Sequence, residues 1–376
     1  MKVGLLVGRL CRGGAERQLM RLAGGLTRRG LDVEVLCYDG PSPHDALLEA
    51  QGVRVRHEAA QGRLAKVGLA RRWLRDFQPD IAHGFMKRAS GVAALARLGG
   101  GSCRVLASDF STATYGRRKP ALWGALGLFA LADRVVTQTE LNRRSLERLA
   151  PWLRGRVAVV RNGLEVERFE PVPSPLPPSP FRFCAVGSVY GVKNPERVVQ
   201  AVAELCRRRG RGFRLDWYGR FGLDGDRAPS PAYRRALALS ERLGVADLVT
   251  FHGETHDIER AYQQTHALLH ASLQEGFPNA VVEGMACGLP IVVSRVSDLP
   301  LVVAEARNGF LCRATDPVSI ADAMERMLLT GGDERRRMGQ RSRRLAIDWF
   351  HQERFIDDYL NLYTDMLRSE NVRRLG

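Results

Sequence analysis

No run of apolar residues in this chain approaches the ~20 that a membrane-spanning helix needs. The longest, Ala121 to Ala132, is closed by Asp133 and Arg134, so it reads as a core helix and no segment is expected to cross a bilayer. There is no C-x-x-C pair either: seven cysteines, an odd number, are scattered at 11, 37, 103, 184, 206, 287 and 312 with no histidine partner at metal-ligand spacing. That pattern is expected of a reduced, metal-free cytoplasmic protein and excludes a disulfide scaffold. The apolar stretch from Met1 to Cys11 is broken by Arg9 and followed by no small-residue cleavage site, so it is expected to be a first strand and not a signal peptide. Lysine is scarce, 5 of 57 basic residues, which makes a lysine at a suggestive place worth more notice than any single arginine.

What is present is globular in kind. A hydrophobic share of 45% and a charged share of 26% exclude disorder and collagen-like repeats. At ~150 residues per domain, 376 residues make two domains. The net charge of +16 implies an anionic partner, and composition alone leaves nucleic acid, phosphorylated small molecules and acidic lipid headgroups open.

Hydrophobic periodicity supplies the organisation. Lys2 to Val7 is a short apolar run, Gly13-Gly14 follows, and Leu19, Leu22, Ala23 and Leu26 then share one helical face. Strand-like runs recur at 33–37, 53–55, 81–82, 105–107, 135–137 and 157–160 with helical stretches between most of them, the alternation of a doubly wound parallel sheet. The tract from Pro171 to Pro180 suits neither helix interior nor central strand and is expected to be a stiff linker. The alternation then restarts. The expected fold class is α/β: an N-terminal Rossmann-like domain over 1–170, a linker over 171–180, and a second Rossmann-like domain over 181–347, the two facing across a cleft. One long helix in the tail, 348–376, is expected to cross back to the first domain.

The most informative stretch is Glu275-Gly-Phe-Pro-Asn-Ala-Val-Val-Glu283. Pro278 suits the first turn of a helix. The amides of Phe277, Asn279 and Ala280 would then point from its positive end, an anion site, with Glu275 and Gly276 in the loop ahead. Glu283 lies about one turn, ~6 Å, further in, so two carboxylates flank the place where a phosphate would sit.

Here the sequence resembles glycosyltransferase family 4, the retaining nucleotide-sugar enzymes of GT-B fold (glycosyl transferases group 1), whose signature is two glutamates separated by seven residues. Gly13-Gly14-Ala15-Glu16-Arg17, Arg161-Asn162-Gly163 with Phe169, Val186-Gly187-Ser188 with Lys193-Asn194, Phe251-His252-Gly253, Ala286-Cys287-Gly288-Leu289-Pro290 and Asn308-Gly309-Phe310-Leu311 resemble further landmarks of the family, in order. The resemblance implies that Glu275 contacts the donor sugar and Glu283 binds the ribose hydroxyls. It implies that Lys193 and the loop amides of 276–280 hold the diphosphate, with Gly13, Gly14 and Ser188 also on the donor. No cofactor and no metal is implied. Two departures stand out: Ser188 replaces the usual arginine beside the lysine, with Arg9, Arg12, Arg17 and Arg220 as alternative replacements. At the usual catalytic histidine the chain reads Ser108-Asp109-Phe110, so Asp109 is taken as the catalytic candidate beside Glu275 and Lys193.

Blander readings accompany these. A glycine pair is also an ordinary tight turn, and Asn162-Gly163 is a good turn by itself. His83 at a strand end, with Arg17, is an acceptor-side candidate, yet a satisfied structural histidine explains it equally well. Basic clusters such as Arg71-Arg72 or Arg207-Arg208-Arg209 are individually solvated faces. The expected function is a retaining, metal-independent hexosyltransferase using a nucleotide diphosphate donor, UDP-linked, on a glycan or lipid-linked saccharide of the bacterial envelope. It is placed in the cytoplasm, with peripheral docking on an anionic inner membrane face left open. The alternatives are a nucleotide-sugar epimerase of related fold and a nucleic-acid-binding protein, the latter lacking any aromatic-rich basic motif.

Overall fold

The computed structural model describes residues 1–10, 13–42, 44–99, 101–110, 120–171, 176–177, 179–222 and 228–374. The chain divides into two units, one of Met1–Gly163 with Gln352–Gly376 and one of Leu164–His351. That division falls ahead of the proline tract.

In the first unit the elements run β1 (Lys2–Val7), α1 (Gly14–Arg28), β2 (Asp32–Cys37), α2 (Asp45–Glu49), β3 (Arg54–His57), α3 (Arg63–Phe77), β4 (Ile81–Gly84), α4 (Met86–Arg97), β5 (Arg104–Asp109), α5 (Pro120–Ala130), β6 (Arg134–Thr137), α6 (Glu140–Leu149) and β7 (Val157–Val159). Among the described residues they form a seven-stranded sheet in the order β3-β2-β1-β4-β5-β6-β7, every pairing parallel. Parallel sheets are covered on both faces, so their central strands are apolar throughout. Accordingly Val3, Leu5, Leu6 and Val7 are all buried; the predicted face of α1 (Leu19, Leu22, Ala23, Leu26) packs with Val3, Leu5 and Val7, and Leu6 joins the core of the opposite face. Gly84 allows α4 to turn back tightly onto β4, because a Cβ there would come within 2.4 Å of the Ser90 Cα.

The second unit repeats the plan with β8 (Phe181–Val186), α7 (Pro195–Arg209), β9 (Phe213–Tyr218), α8 (Pro231–Arg242), β10 (Val249–Gly253), α9 (Ile258–Gln263), β11 (Ala267–His270), α10 (Asn279–Ala286), β12 (Ile291–Ser294), α11 (Leu299–Ala306), β13 (Gly309–Cys312), α12 (Pro317–Leu329) and α13 (Gly332–Phe350). Its sheet order is β10-β9-β8-β11-β12-β13, again parallel. In each sheet the order reverses direction beside the first strand, which is where ligands bind in open α/β sheets.

The tail differs from the expected single helix beginning at Asp348. It is two helices, α13 ending at Phe350 and α14 spanning Gln352–Arg374. His351 between them is extended (φ −59, ψ 136), pairs with Leu164, and bonds Glu167 through Nε2 at 2.8 Å, while Leu164 N–H donates to the Phe350 carbonyl at 2.7 Å. These contacts take up backbone that a continuous helix would need. The aromatic anchors divide accordingly: Trp349 and Phe350 pack in the second unit, whereas Phe355 and Tyr359 join the core of the first. No described helix is long and apolar enough to cross a membrane.

Candidate active site

The second unit concentrates its polar chemistry at the carboxyl ends of β8 and β11. After β8 the chain passes Gly187, whose φ of +140° is a backbone state that side chains rarely adopt. It then enters a short 3-10 turn, Gly191–Lys193. Asn194 follows in the left-handed conformation, and its buried amide donates to the carbonyls of Ala271 (3.1 Å) and Ala314 (2.7 Å). Leu273 N–H bonds the Val192 carbonyl at 2.8 Å. These bonds lash the loop carrying Lys193 to the loop that follows β11.

As a result Lys193 Nζ lies 2.6 Å from Glu275 Oε1, although 82 residues separate them. His270, the last residue of β11, places Nε2 2.9 Å from the same oxygen and 3.1 Å from Ser272 Oγ. Burial opposes a charge on Glu275, but the His270 contact and the Lys193 ammonium overcome it and hold the carboxyl down at about 2. Burial also lowers the basicity of His270 against the pull of Glu275. An ionised carboxylate only accepts, so His270 presents an Nε2–H to it, and Lys193 supplies the charge.

Beyond Glu275, Ser297 Oγ donates to the Gly276 carbonyl and fixes the loop's descent. Phe277 is buried with its ring 5.0 Å from that of Phe350. Pro278 caps α10 in an extended conformation, its carbonyl accepting from Val281 N–H at 3.1 Å, with Asn279 and Ala280 as the opening residues of the helix. Glu283 lies deeper on α10, 5% exposed, where Oε2 accepts from the Tyr262 hydroxyl at 3.1 Å. Burial first, and Glu283 beside it, push that phenol well above its usual range. Lys193, Glu275 and Gly276 are thus brought together, with Glu283 one helix turn behind. Ser188 is half-buried in the loop after β8. Of the arginines named as its replacements, Arg220 is the one tied to that loop, its carbonyl accepting from Val189 N–H at 2.7 Å. Arg9 instead donates to the Asp39 carbonyl, Arg17 is exposed on α1, and Arg12 lies outside the described residues. So does Asp224-Gly225-Asp226, the chain's one D-x-D triplet.

The first unit has its own constellation. Gly13 caps α1 and Gly14 opens it. Asp109, the end of β5, is 1% exposed and lies 3.6 Å from Lys87 Nζ. Asn142 Nδ2 donates to the Asp109 carbonyl at 2.9 Å. Burial lowers the Lys87 pKa while Asp109 raises it, and Met86 just ahead has φ +68°. His83 requires a correction: it is a core residue and not an acceptor contact. Its side chain is fully buried, with Nδ1 2.8 Å from the Tyr363 hydroxyl and Nε2 2.6 Å from Ser108 Oγ. Both ring nitrogens are therefore taken.

Three residues escaped the sequence reading. His270 passed as the end of a strand, and Asn194 as a companion of Lys193. Lys87 carried a usable signal: in a chain with so little lysine it merited the notice given to Lys193.

Comparison with known proteins accords with this geometry. The family model described as Glycosyltransferase Family 4 matches residues 12–168, and that described as Glycosyl transferases group 1 matches residues 166–345. D-inositol 3-phosphate glycosyltransferase 2 of Catenulispora acidiphila is 31% identical over 207 residues, 52% of this chain and 48% of that protein. The matched stretch thus spans about half the length of that relative. A D-inositol 3-phosphate glycosyltransferase of Actinosynnema mirum is 28% identical over 359 residues, 85% of each chain. Among solved structures, the Anabaena protein HepE in complex with UDP superposes with a TM-score of 0.84 at 18% identity, covering 97% of this chain and 100% of that one. The shared fold is that of GT-B glycosyltransferases. With one family model on each sheet and the two-glutamate loop and helix in the second, the chain belongs to the family 4 and group 1 glycosyltransferases.

Proposed function

We propose that this chain is a retaining, metal-independent glycosyltransferase that moves a sugar from a nucleoside diphosphate, UDP in the first instance, to a glycan or lipid-linked saccharide acceptor of the bacterial envelope. The observation that carries the proposal is the Lys193–Glu275–His270 cluster at the amino end of α10. A departing nucleoside diphosphate gains negative charge as the glycosidic bond breaks. A fixed ammonium and the backbone N–H groups of Phe277, Asn279 and Ala280 stabilise that charge more in the transition state than in the ground state. Glu275, kept ionised, accepts from sugar hydroxyls, and Glu283 accepts from the ribose. Arg220 takes the place of the arginine that Ser188 replaces. In the first unit Lys87 is the group that meets the acceptor, and Asp109, being buried, acts as its positioning residue, a revision of the catalytic role first given to Asp109.

A phosphorylated polyol is a second acceptor class, favoured by the D-inositol 3-phosphate glycosyltransferases to which the chain is similar and by the charge of +16. Family membership leaves the epimerase and nucleic-acid readings without support. Docking on an anionic membrane belongs to the proposal through the exposed Trp123 and Trp152 of the first unit, since tryptophan favours membrane interfaces. Co-sedimentation with anionic vesicles, compared with neutral ones, tests it.

The test of the main proposal is a thermal-shift series with UDP, GDP, ADP and their sugar conjugates, each with and without EDTA, because a ligand that binds only the folded state raises the melting temperature. A UDP-selective increment that EDTA leaves unchanged is expected. An increment abolished by EDTA would overturn the metal-independent mechanism, and selectivity for another nucleotide would replace the donor.

A further inference from the structure

Away from the cluster at α10, the first unit gathers three metal-ligating side chains that the reaction does not use. Cys37 and His57 are the last residues of β2 and β3 and face each other directly in the parallel register. Directly paired residues of neighbouring strands project to the same side of a sheet. Asp45 opens α2, the helix that connects these two strands. One ligand atom from each of Cys37, Asp45 and His57 lies within 4.8 Å of the others.

The state of these groups is what sets the cluster apart from an ordinary polar contact. Asp45 is 5% exposed. Its Oδ2 accepts from Ser42 N–H, yet its Oδ1 has no hydrogen-bond partner, and neither has the buried Nδ1 of His57. The His57 nitrogen lies 3.5 Å from Asp45 Oδ2, beyond hydrogen-bond range. Buried polar atoms left unpaired are costly and rare in folded proteins. Here two of them, on different elements, converge beside a fully buried sulfur. Burial first, and Asp45 beside it, push the Cys37 thiol up to about 12 against a backbone hydrogen bond from Leu10.

We propose that Cys37, Asp45 and His57 form a binding site for one zinc-type divalent cation, with water as the fourth ligand, that pins the β2–α2–β3 crossover. The donor set selects the metal class. One thiolate, one imidazole and one carboxylate suit zinc and its borderline neighbours, whereas magnesium and calcium demand oxygen donors throughout. Ligands about 2.0–2.3 Å from a tetrahedral zinc ion stand roughly 3.5 Å from one another, so small rotations of these side chains complete the sphere. On binding, the Cys37 thiol gives its proton to solvent as the S–Zn bond forms. His57 is only partly buried and opens the way in. The role is structural, so the site is compatible with transfer chemistry that uses no metal.

The experiment measures zinc by mass spectrometry in the full chain after loading with Zn²⁺ and dialysis against a weak chelator, alongside Cys37→Ser and His57→Gln. Wild type is expected to retain about one zinc per chain, and each variant to bind at least about tenfold more weakly. Cobalt in place of zinc should give a thiolate-to-metal charge-transfer absorption that Cys37→Ser lacks, and zinc should raise the melting temperature of wild type alone. His57→Gln changes a partly exposed residue, so the assay does not depend on the core substitution folding. No retention by wild type, or equal retention by both folded variants, would overturn the site and assign any bound metal to the surface.

Discussion

Both sheets carry a lysine–carboxylate pair at the carboxyl ends of two neighbouring strands, β8 and β11 in the second unit and β4 and β5 in the first, and the two pairs are built differently. In the second unit Lys193 and Glu275 are 2.6 Å apart, their side chains 17% and 12% exposed. The loops bearing them are tied together by Asn194 and by a backbone bond. In the first unit Lys87 and Asp109 are 3.6 Å apart, with the aspartate 1% and the lysine 29% exposed. A tight pair in a tethered loop has little left to reorganise when charge develops on a leaving group, the condition under which electrostatic stabilisation is strongest. A looser pair with a half-buried lysine suits a partner that varies in shape, such as an acceptor.

Breaking the tight pair should have the largest effect. Glu275→Gln is expected to lower kcat by about 10³-fold with the UDP-induced thermal shift retained; near-normal turnover would remove Glu275 from the chemistry. Next, Lys193→Met should lower kcat/KM by about 10²-fold and, unlike the glutamate change, weaken UDP binding in calorimetry. If UDP affinity is unaltered, the lysine does not meet the diphosphate. For the loose pair, Asp109→Asn should cost about tenfold in kcat/KM for the acceptor, with donor binding unchanged and the alkaline limb of the pH profile displaced as Lys87 loses its anionic neighbour. An unmoved pH profile would reduce Asp109 to a packing residue.

The smallest effect concerns stability. Burial depresses the His83 pKa from 6.5 to about 3, so between those values the unfolded chain binds a proton that the folded chain refuses. Stability is then complete above about pH 6.5 and is lost as pH falls toward 3. His83→Gln should flatten the decline in melting temperature between pH 7 and 5 by a few degrees, roughly 2–4 °C. A decline as steep as in wild type would place the acid sensitivity elsewhere. Glu275 acts in the same sense at lower pH: held at about 2, it contributes fully above its ordinary value of 4.5, and that contribution is lost as pH falls from there through 2.

The unequal construction also explains what was legible beforehand. Helix grammar around Pro278 located the start of α10, and the rarity of lysine marked Lys193, because both signals are local. The strand alternation located both sheets for the same reason. The company of Glu275 was not local: His270 meets it because β11 ends there, and Lys193 meets it because β11 lies beside β8, a neighbour relation set by the crossover. Asp109 was found from its place in a motif, yet its burial and its dependence on Lys87 come from the approach of α4 to β5. His83 stayed open between two readings because a strand-end histidine looks alike in sequence whether it meets a ligand or, as here, a tyrosine 280 residues away. The break at His351 was hidden too, since its cause, pairing with Leu164, lies far back in the chain.

That break governs the order in which the molecule can be completed on the ribosome. Phe355, Ile356, Tyr359, Tyr363 and Met366 are all buried in the core of the first unit, yet they are synthesised after the whole of the second unit. The second unit, Leu164–His351, is one uninterrupted stretch and has every one of its residues before them. At ~5–20 residues per second, the N-terminal sheet therefore waits with part of its apolar surface uncovered while its later-born neighbour is finished. Of the two units, the one whose translation begins first is the one that matures last.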